Sequence, residues 1–298
     1  MIKAFFKTYT PANILREVYY NYLLPKKHSD KVGAFYDQHH EAFLEVYGEL
    51  IQAFRTHDIA DILTYELKQI GITQEMTVLD AGCGVGKPAR FFASKSGATI
   101  HGISVSKKQI AAAKQLSKDA ENLHFEVLDY HEVDKYFPSA SFDRVYFLES
   151  FGHSTSKKQL LDAVWNVLKP GGEVYIKDLF RRIAPESKDQ RKIDREIERI
   201  NSHYHYDVAD LNKLMDIARK QGFVIKFIQT LDIPLDQFED LTISNKFQEL
   251  TGICPIHDFS KYVFPVDFFE VMLYKPAFNM EEAKDRYFLQ NLLHQKNS

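Results

Sequence analysis

Only two cysteines, Cys83 and Cys254, occur in 298 residues. That scarcity excludes a disulfide-rich secreted scaffold and a cysteine-built zinc module. No run of about 18 apolar residues occurs, so no transmembrane helix is expected. An excess of charge of one sign is also missing. The 38 Lys and Arg against 41 Asp and Glu leave a formal net charge of −3, which disfavours a globally basic nucleic-acid binder. Internal repeats and low-complexity segments are absent, and no linker is placed. The first twenty residues are broken by polar side chains and read as mature protein, not as a signal peptide. A cytoplasmic α/β protein is expected. At about 100–200 residues per domain the length allows one large domain or two small ones. A content of 45% hydrophobic and 27% charged residues is enough to build a sizeable core.

Residues 1 to about 70 carry apolar residues at helical spacing, among them Phe43, Val46, Tyr47, Leu50 and Phe54. From residue 76 the pattern alternates. Short apolar runs at 76–81, 98–104, 123–129, 142–149 and 173–180 predict buried strands. Helical stretches at 88–96, 107–120 and 157–169 separate them, the last stopped by Pro170-Gly171-Gly172. Such alternation predicts a parallel sheet with helices on both faces. Residues 181–206 are strongly charged and interrupt the pattern. A helix over 207–221, strands at 223–231 and 268–274, and a helix near 236–251 complete the reading.

The sharpest local signal is VLDAGCGVGK, residues 78–87. A strand ends, and Gly82, Gly84 and Gly86 follow at every second position. Glycines let a backbone turn tightly and approach a ligand closely. The helix that begins near Lys87–Pro88 offers free N–H groups at its positive end. The spacing departs from the dinucleotide fingerprint G-x-G-x-x-G, because the third glycine comes one residue early.

The VLDAGCGVG turn, Asp129 after the third strand and LKPGG at 168–172 together resemble the class I S-adenosylmethionine-dependent methyltransferases. The resemblance covers roughly residues 70–180. It implies a Rossmann-like seven-stranded sheet with the last strand antiparallel and helices on both faces. It also implies a helical N-terminal cap over residues 1–70, preceding a catalytic domain over 71–298 with a lid insertion after strand 5, about 181–206. The cofactor it implies is S-adenosyl-L-methionine. Asp80, Gly82, Gly84 and Gly86 match the turn that cradles the methionine part. Asp129 matches the acid that receives the adenine amino group, with Tyr130 beside the ring. Many members have an acid for the ribose at the end of strand 2, where this chain has Ser104. That departure, with Gln109 five residues on, is similar to the sterol, tocopherol, cyclopropane-forming and prenyl-diphosphate C-methyltransferases.

The fourth strand runs into Glu149-Ser150-Phe151-Gly152-His153, resembling a segment of the same subgroup. Ligands of open α/β sheets bind beyond the carboxyl ends of strands, so Glu149 and His153 are expected at the reacting end. Tyr36 is expected to face the sulfonium. Methylation of an alkene carbon leaves a carbocation, which Glu149 would stabilise or deprotonate. Tyr36, Phe151, Tyr204 and Tyr206 would help through cation–π contacts. His203 and His205 could share a strand face, but no third ligand stands near them, and no resident metal is expected. Arg181, Arg182, Arg191, Lys192 and Arg195 suit either a phosphate or a salt-bridged helix. Mg2+ is expected only with a diphosphate substrate. The expected activity is methyl transfer to a small, largely apolar acceptor, at carbon of an isoprenoid or prenyl diphosphate. The alternatives are N- or O-methylation of a small amine or phenol, and a cofactor-binding protein or cyclase that does not methylate. Partners are expected to be small molecules, with no nucleic acid and no membrane span; self-association is left open.

Overall fold

The computed structural model describes residues 27–53, 56–231, 246, 249–251 and 263–277. Three helices come first: α1 (His28–Gln38), α2 (His40–Tyr47) and α3 (Ile59–Ile70). Strands and helices then alternate as β1 (Thr77–Ala81), α4 (Lys87–Ser96), β2 (Thr99–Ser104), α5 (Lys107–Leu116) and β3 (Leu123–Val127). They continue as α6 (Val133–Tyr136), β4 (Phe142–Leu148), α7 (Lys157–Val167) and β5 (Leu168–Arg181). After the charged helix α8 (Ser187–Tyr204) come α9 (Leu211–Gln221), β6 (Val224–Gln229) and β7 (Val266–Tyr274).

The seven strands form one sheet in the order β3-β2-β1-β4-β5-β7-β6. The first five run parallel, and β7 lies antiparallel to both β5 and β6. The expected topology is therefore present. Side chains alternate across a strand, and β1 divides its own accordingly: Leu79 and Ala81 join the core under α7 and α9, while Val78 joins the core under α3, α4 and α5. Strand order reverses between β1 and β4, which opens a crevice at their carboxyl ends. Asp58, Ser106 and Asp210 cap α3, α5 and α9 by accepting backbone N–H groups, each worth about 1 kcal/mol.

Several boundaries differ from the sequence expectation. The helical spacing that runs from Phe43 to Phe54 is interrupted at Gly48, whose φ of +65° ends α2. Residues 49–53 then run as an irregular strap, and Phe54 lies outside the described residues. The helix expected to 169 ends at Val167, because Leu168 already pairs with Phe142 of β4. α5 ends at Leu116 and α9 starts at Leu211, where Asp210 caps it. His203 lies in the last turn of α8, which ends at Tyr204, and His205 takes a left-handed conformation, so the two share no strand face. Of the helix expected near 236–251, Lys246 and residues 249–251 are helical and the rest lies outside the described residues. No described helix is long and apolar enough to cross a membrane.

Candidate active site

The turn after β1 is folded by its glycines. Gly82 has φ +102°, and its N–H and that of Cys83 both donate to the carbonyl of Ile103 at 2.9 Å. A Cβ at Gly82 would lie 2.3 Å from Ser150 Cβ, so the turn can press against the end of β4 only with glycine there. Gly84, at φ +54°, has no atom within 4 Å of where a Cβ would stand. Gly86 caps α4 and packs on the Phe125 ring, outside the cavity wall. Asp80 is buried beside the turn. Its Oδ2 makes no well-formed hydrogen bond among the described residues, and burial pushes its carboxyl up to about 8 against the opposing effect of the Tyr146 hydroxyl beside it. A buried, unpartnered carboxylate oxygen is costly until a donor reaches it.

The turn opens into a cleft with about 890 Å³ of space, its solvent-filled mouth included. Asp80, Gly82, Gly84, Ser104, Gln109, Asp129 and Tyr130 all line it, as do Tyr36, Glu149 and His153. Ser104 Oγ donates to Gln109 Oε1 at 2.9 Å and accepts from Ser106 N–H at 3.2 Å, which fixes the Gln109 amide. Asp129 caps a short 3-10 turn over Tyr130–Glu132. Burial alone would raise its pKa, but hydrogen bonds from the His131 ring and backbone hold it down at about 2. Tyr130 donates its hydroxyl to the Ser150 carbonyl at 3.3 Å.

At the other end the N-terminal helices meet the end of β4. Tyr36 Oη lies 2.9 Å from His153 Nε2, and His153 Nδ1 lies 3.1 Å from the His205 carbonyl. A carbonyl only accepts, so Nδ1 carries the proton and Nε2 accepts the Tyr36 hydroxyl. Burial holds His153 down at about 3 and therefore neutral. The Tyr206 ring stacks edge-on against His153 at 4.1 Å, and its hydroxyl donates to the Glu149 carbonyl at 2.7 Å. Glu149 itself has φ +56°, uncommon for a residue with a side chain. Its Oε1 accepts from Lys177 at 3.1 Å and its Oε2 from Ala53 N–H at 2.5 Å. Lys177 is fully buried and also pairs with the equally buried Glu66 at 2.9 Å and with Gln52 Oε1 at 2.6 Å. Thus two carboxylates share one ammonium behind the cleft.

Glu66, Gln52, Lys177 and His131 are the polar residues that sequence reasoning passed over. Lys177 left a trace: a lysine inside the apolar run EVYIKDLF must be paired if the strand is buried. Glu66 and Gln52 left none, because they reach Lys177 only through the packing of α3 and the strap. On the charged segment Arg181 pairs with Asp194, Arg182 with Asp267 and Lys192 with Asp189, an arrangement that matches a salt-bridged helix. Among the described residues no group of three or more His, Cys, Asp or Glu is placed to hold a metal ion.

A methyltransferase-domain family model matches residues 79–176. Sterol 24-C-methyltransferase ERG6 of Saccharomyces cerevisiae is 34% identical over 153 residues, 49% of this chain and 39% of that one. O-methyltransferase cnsE of Penicillium expansum is 28% identical over 236 residues, 74% of this chain and 80% of that one. Among solved structures, the [4+2]-cyclase SpnF superposes with a TM-score of 0.65 at 19% identity, covering 84% of this chain and 97% of that one. The first three curated relatives are spanned over 59%, 29% and 39% of their lengths.

Proposed function

We propose, for a chain that belongs to the class I S-adenosylmethionine-dependent methyltransferases, that it transfers a methyl group to carbon of a small, largely apolar acceptor such as an isoprenoid. The residues of the cleft suit the cofactor. The lone Oδ2 of Asp80 would receive the ammonium of the methionine part, and the open space at Gly84 would let backbone N–H groups approach its carboxylate. Ser104 and Gln109 would bind the ribose, and Asp129 the adenine amino group, with Tyr130 beside the ring. Bound there, S-adenosylmethionine supplies a methyl group activated by its sulfonium. The protein's share is alignment and the exclusion of water. The N-terminal helices, read as a cap, and α8, read as part of a lid, would provide that exclusion.

The observation that carries the carbon reading is the pair of carboxylates on one ammonium. Methylation of an alkene leaves a cation that must lose a proton. Glu149 can take that proton while Lys177 and Glu66 remain a balanced pair. Tyr36, which lines the cleft, would add cation–π stabilisation of about 0.5–2 kcal/mol. A second reading, N- or O-methylation of an amine or phenol, is favoured by the Tyr36–His153 hydrogen bond, which could position a polar nucleophile. Against it stands the low basicity of His153, a poor general base at about 3.

The test is incubation with radiolabelled S-adenosylmethionine and a panel of sterols, prenyl alcohols and diphosphates, phenols and small amines. Label in a hydrocarbon-like product, stable to acid, is the expected result. Label on a phenol or amine alone would overturn the carbon reading. Tight cofactor binding with no turnover on any acceptor would place the chain among the non-methylating users of this fold.

A further inference from the structure

Asp129 is the first link of a hydrogen-bonded chain that leaves the cofactor region and ends in the turn bearing His153. Its Oδ1 accepts from the His131 backbone N–H at 3.0 Å and from the His131 ring at Nδ1, 2.7 Å away. The far ring nitrogen, Nε2, lies 2.7 Å from Ser154 Oγ. Because a carboxylate accepts, Nδ1 carries the proton, and in the neutral ring Nε2 accepts the Ser154 hydroxyl. Ser154 is fully buried and its Oγ accepts in turn from Ser156 N–H at 3.2 Å. It follows His153 directly in sequence.

We propose that His131 is a positioning residue that fixes Asp129 for adenine recognition and ties that recognition to the turn carrying His153. The inference rests on the reading of Asp129 as the adenine acceptor. Two donors from His131 meet Oδ1, and the Ser29 side chain also hydrogen-bonds to this carboxylate; the remaining lone pairs of Oδ2 are those open to the exocyclic amino group. A carboxylate kept ionised by these donors has only lone pairs to present, so it accepts from an amino group and repels a keto oxygen, and the site selects the 6-amino purine. The other half of the ring acts on the turn. Ser154 is held from its side chain by His131 and from its carbonyl by Lys157. Adenine contact and placement of His153 are therefore linked through one imidazole. Although carboxylate, imidazole and serine stand in line, Ser154 is too buried to meet a substrate, and the chain orients groups without attacking one.

Two isosteric substitutions separate the two halves. His131→Asn keeps a donor near the Nδ1 position and loses the reach to Ser154. His131→Gln places its amide near the Nε2 position and loses the donor to Asp129. The reading is the ratio of dissociation constants for S-inosylhomocysteine and S-adenosylhomocysteine, measured by calorimetry on the full chain. Being a ratio, it is unaffected by the fraction of protein folded. The parent protein is expected to favour the adenosyl ligand by about tenfold or more, the loss of a charge-assisted hydrogen bond. His131→Gln should bring the ratio close to one, as should Asp129→Ala. His131→Asn should keep the ratio yet lower kcat, and Ser154→Ala should do the same. A His131→Gln variant with the parent's ratio, beside an Asp129→Ala variant that has lost it, overturns the role of His131 alone. A parent protein that does not discriminate overturns the reading of Asp129 beneath it. Full kcat in both His131→Asn and Ser154→Ala overturns the link to the turn.

Discussion

Ser104 and Gln109, five residues apart, bond to each other at one end of the cleft. Tyr36 and His153, 117 residues apart, do so at the other. The same contrast recurs at other contacts. At the cofactor end Asp129 is held by His131, two residues on, and the glycine turn is contiguous. At the acceptor end Ala53 reaches Glu149 across 96 residues and Gln52 reaches Lys177 across 125. One end is made of local backbone geometry and the other of long-range polar contacts among the N-terminal helices, the strap and two strands. The first arrangement suits a cofactor that never changes. The second places specificity where elements can be replaced without disturbing the turn.

The sharpest way to break this contrast is at Lys177, because the whole acceptor end hangs on it. Lys177→Met leaves Glu66 and Glu149 buried without their shared cation, and a broken buried pair costs about 3–5 kcal/mol. Urea denaturation should show that loss. A change below 1 kcal/mol would mean that the strap and α3 are held by packing alone. Prior charge removal sharpens the point: in a Glu66→Gln background the same substitution should cost less, since one unpaired carboxylate remains and not two.

The contrast also explains what could be read in advance. Contiguous signals, namely the strand, the spaced glycines, Asp129 and the alternation of runs, predict the sheet and most of the residues that line one end of the cleft, because each depends on neighbours in sequence. The end of α2 was not legible. The positions of Phe43, Val46, Tyr47 and Leu50 fit one helix, and only Gly48 at φ +65° shows that the chain leaves it to form the strap. Glu149 was picked out in the sequence for its place after β4. That its oxygens are met by Lys177 and Ala53 depends on packing between elements far apart in the chain, to which no local pattern points.

Within the glycine turn two positions should part company. Gly82→Ala forces a Cβ into Ser150 and strains the backbone, so about 3 kcal/mol of stability should be lost. Gly84→Ala meets nothing in the protein and should cost only about 1 kcal/mol from its left-handed backbone. Its effect should appear in weaker binding of S-adenosylhomocysteine, since the methyl occupies space meant for the ligand. Equal stability losses at the two sites would show that the turn relaxes freely from β4.

A cross-comparison of the two ends comes next. Asp129→Ala should weaken cofactor binding by about 2 kcal/mol, the loss of a charge-assisted hydrogen bond. Glu149→Gln should leave that affinity nearly intact and slow turnover. Calorimetry with single-turnover assays separates them, and a swap of the two phenotypes would assign the ends wrongly.

The smallest effect is set by proton binding at His153. Burial lowers its pKa from 6.5 to about 3, so between those values the unfolded chain binds the proton and the folded one does not. Stability from this group is complete above pH 6.5 and falls as the pH drops toward 3. Between pH 7.5 and 6.0 the expected loss is about 1 kcal/mol. His28 and His205 are lowered by burial too and act in the same direction, so the parent protein's total slope cannot isolate His153. The difference between parent and His153→Asn can, because asparagine keeps a donor for the His205 carbonyl and carries no titrating group. The variant should show a shallower fall in denaturation free energy over that window. A slope equal to the parent's would mean that His153 takes up its proton in the folded state as readily as in the unfolded chain, and so charges as the pH falls through its ordinary range. It would then be charged beside the Tyr36 hydroxyl, where it would repel the cation that Glu149 is proposed to meet.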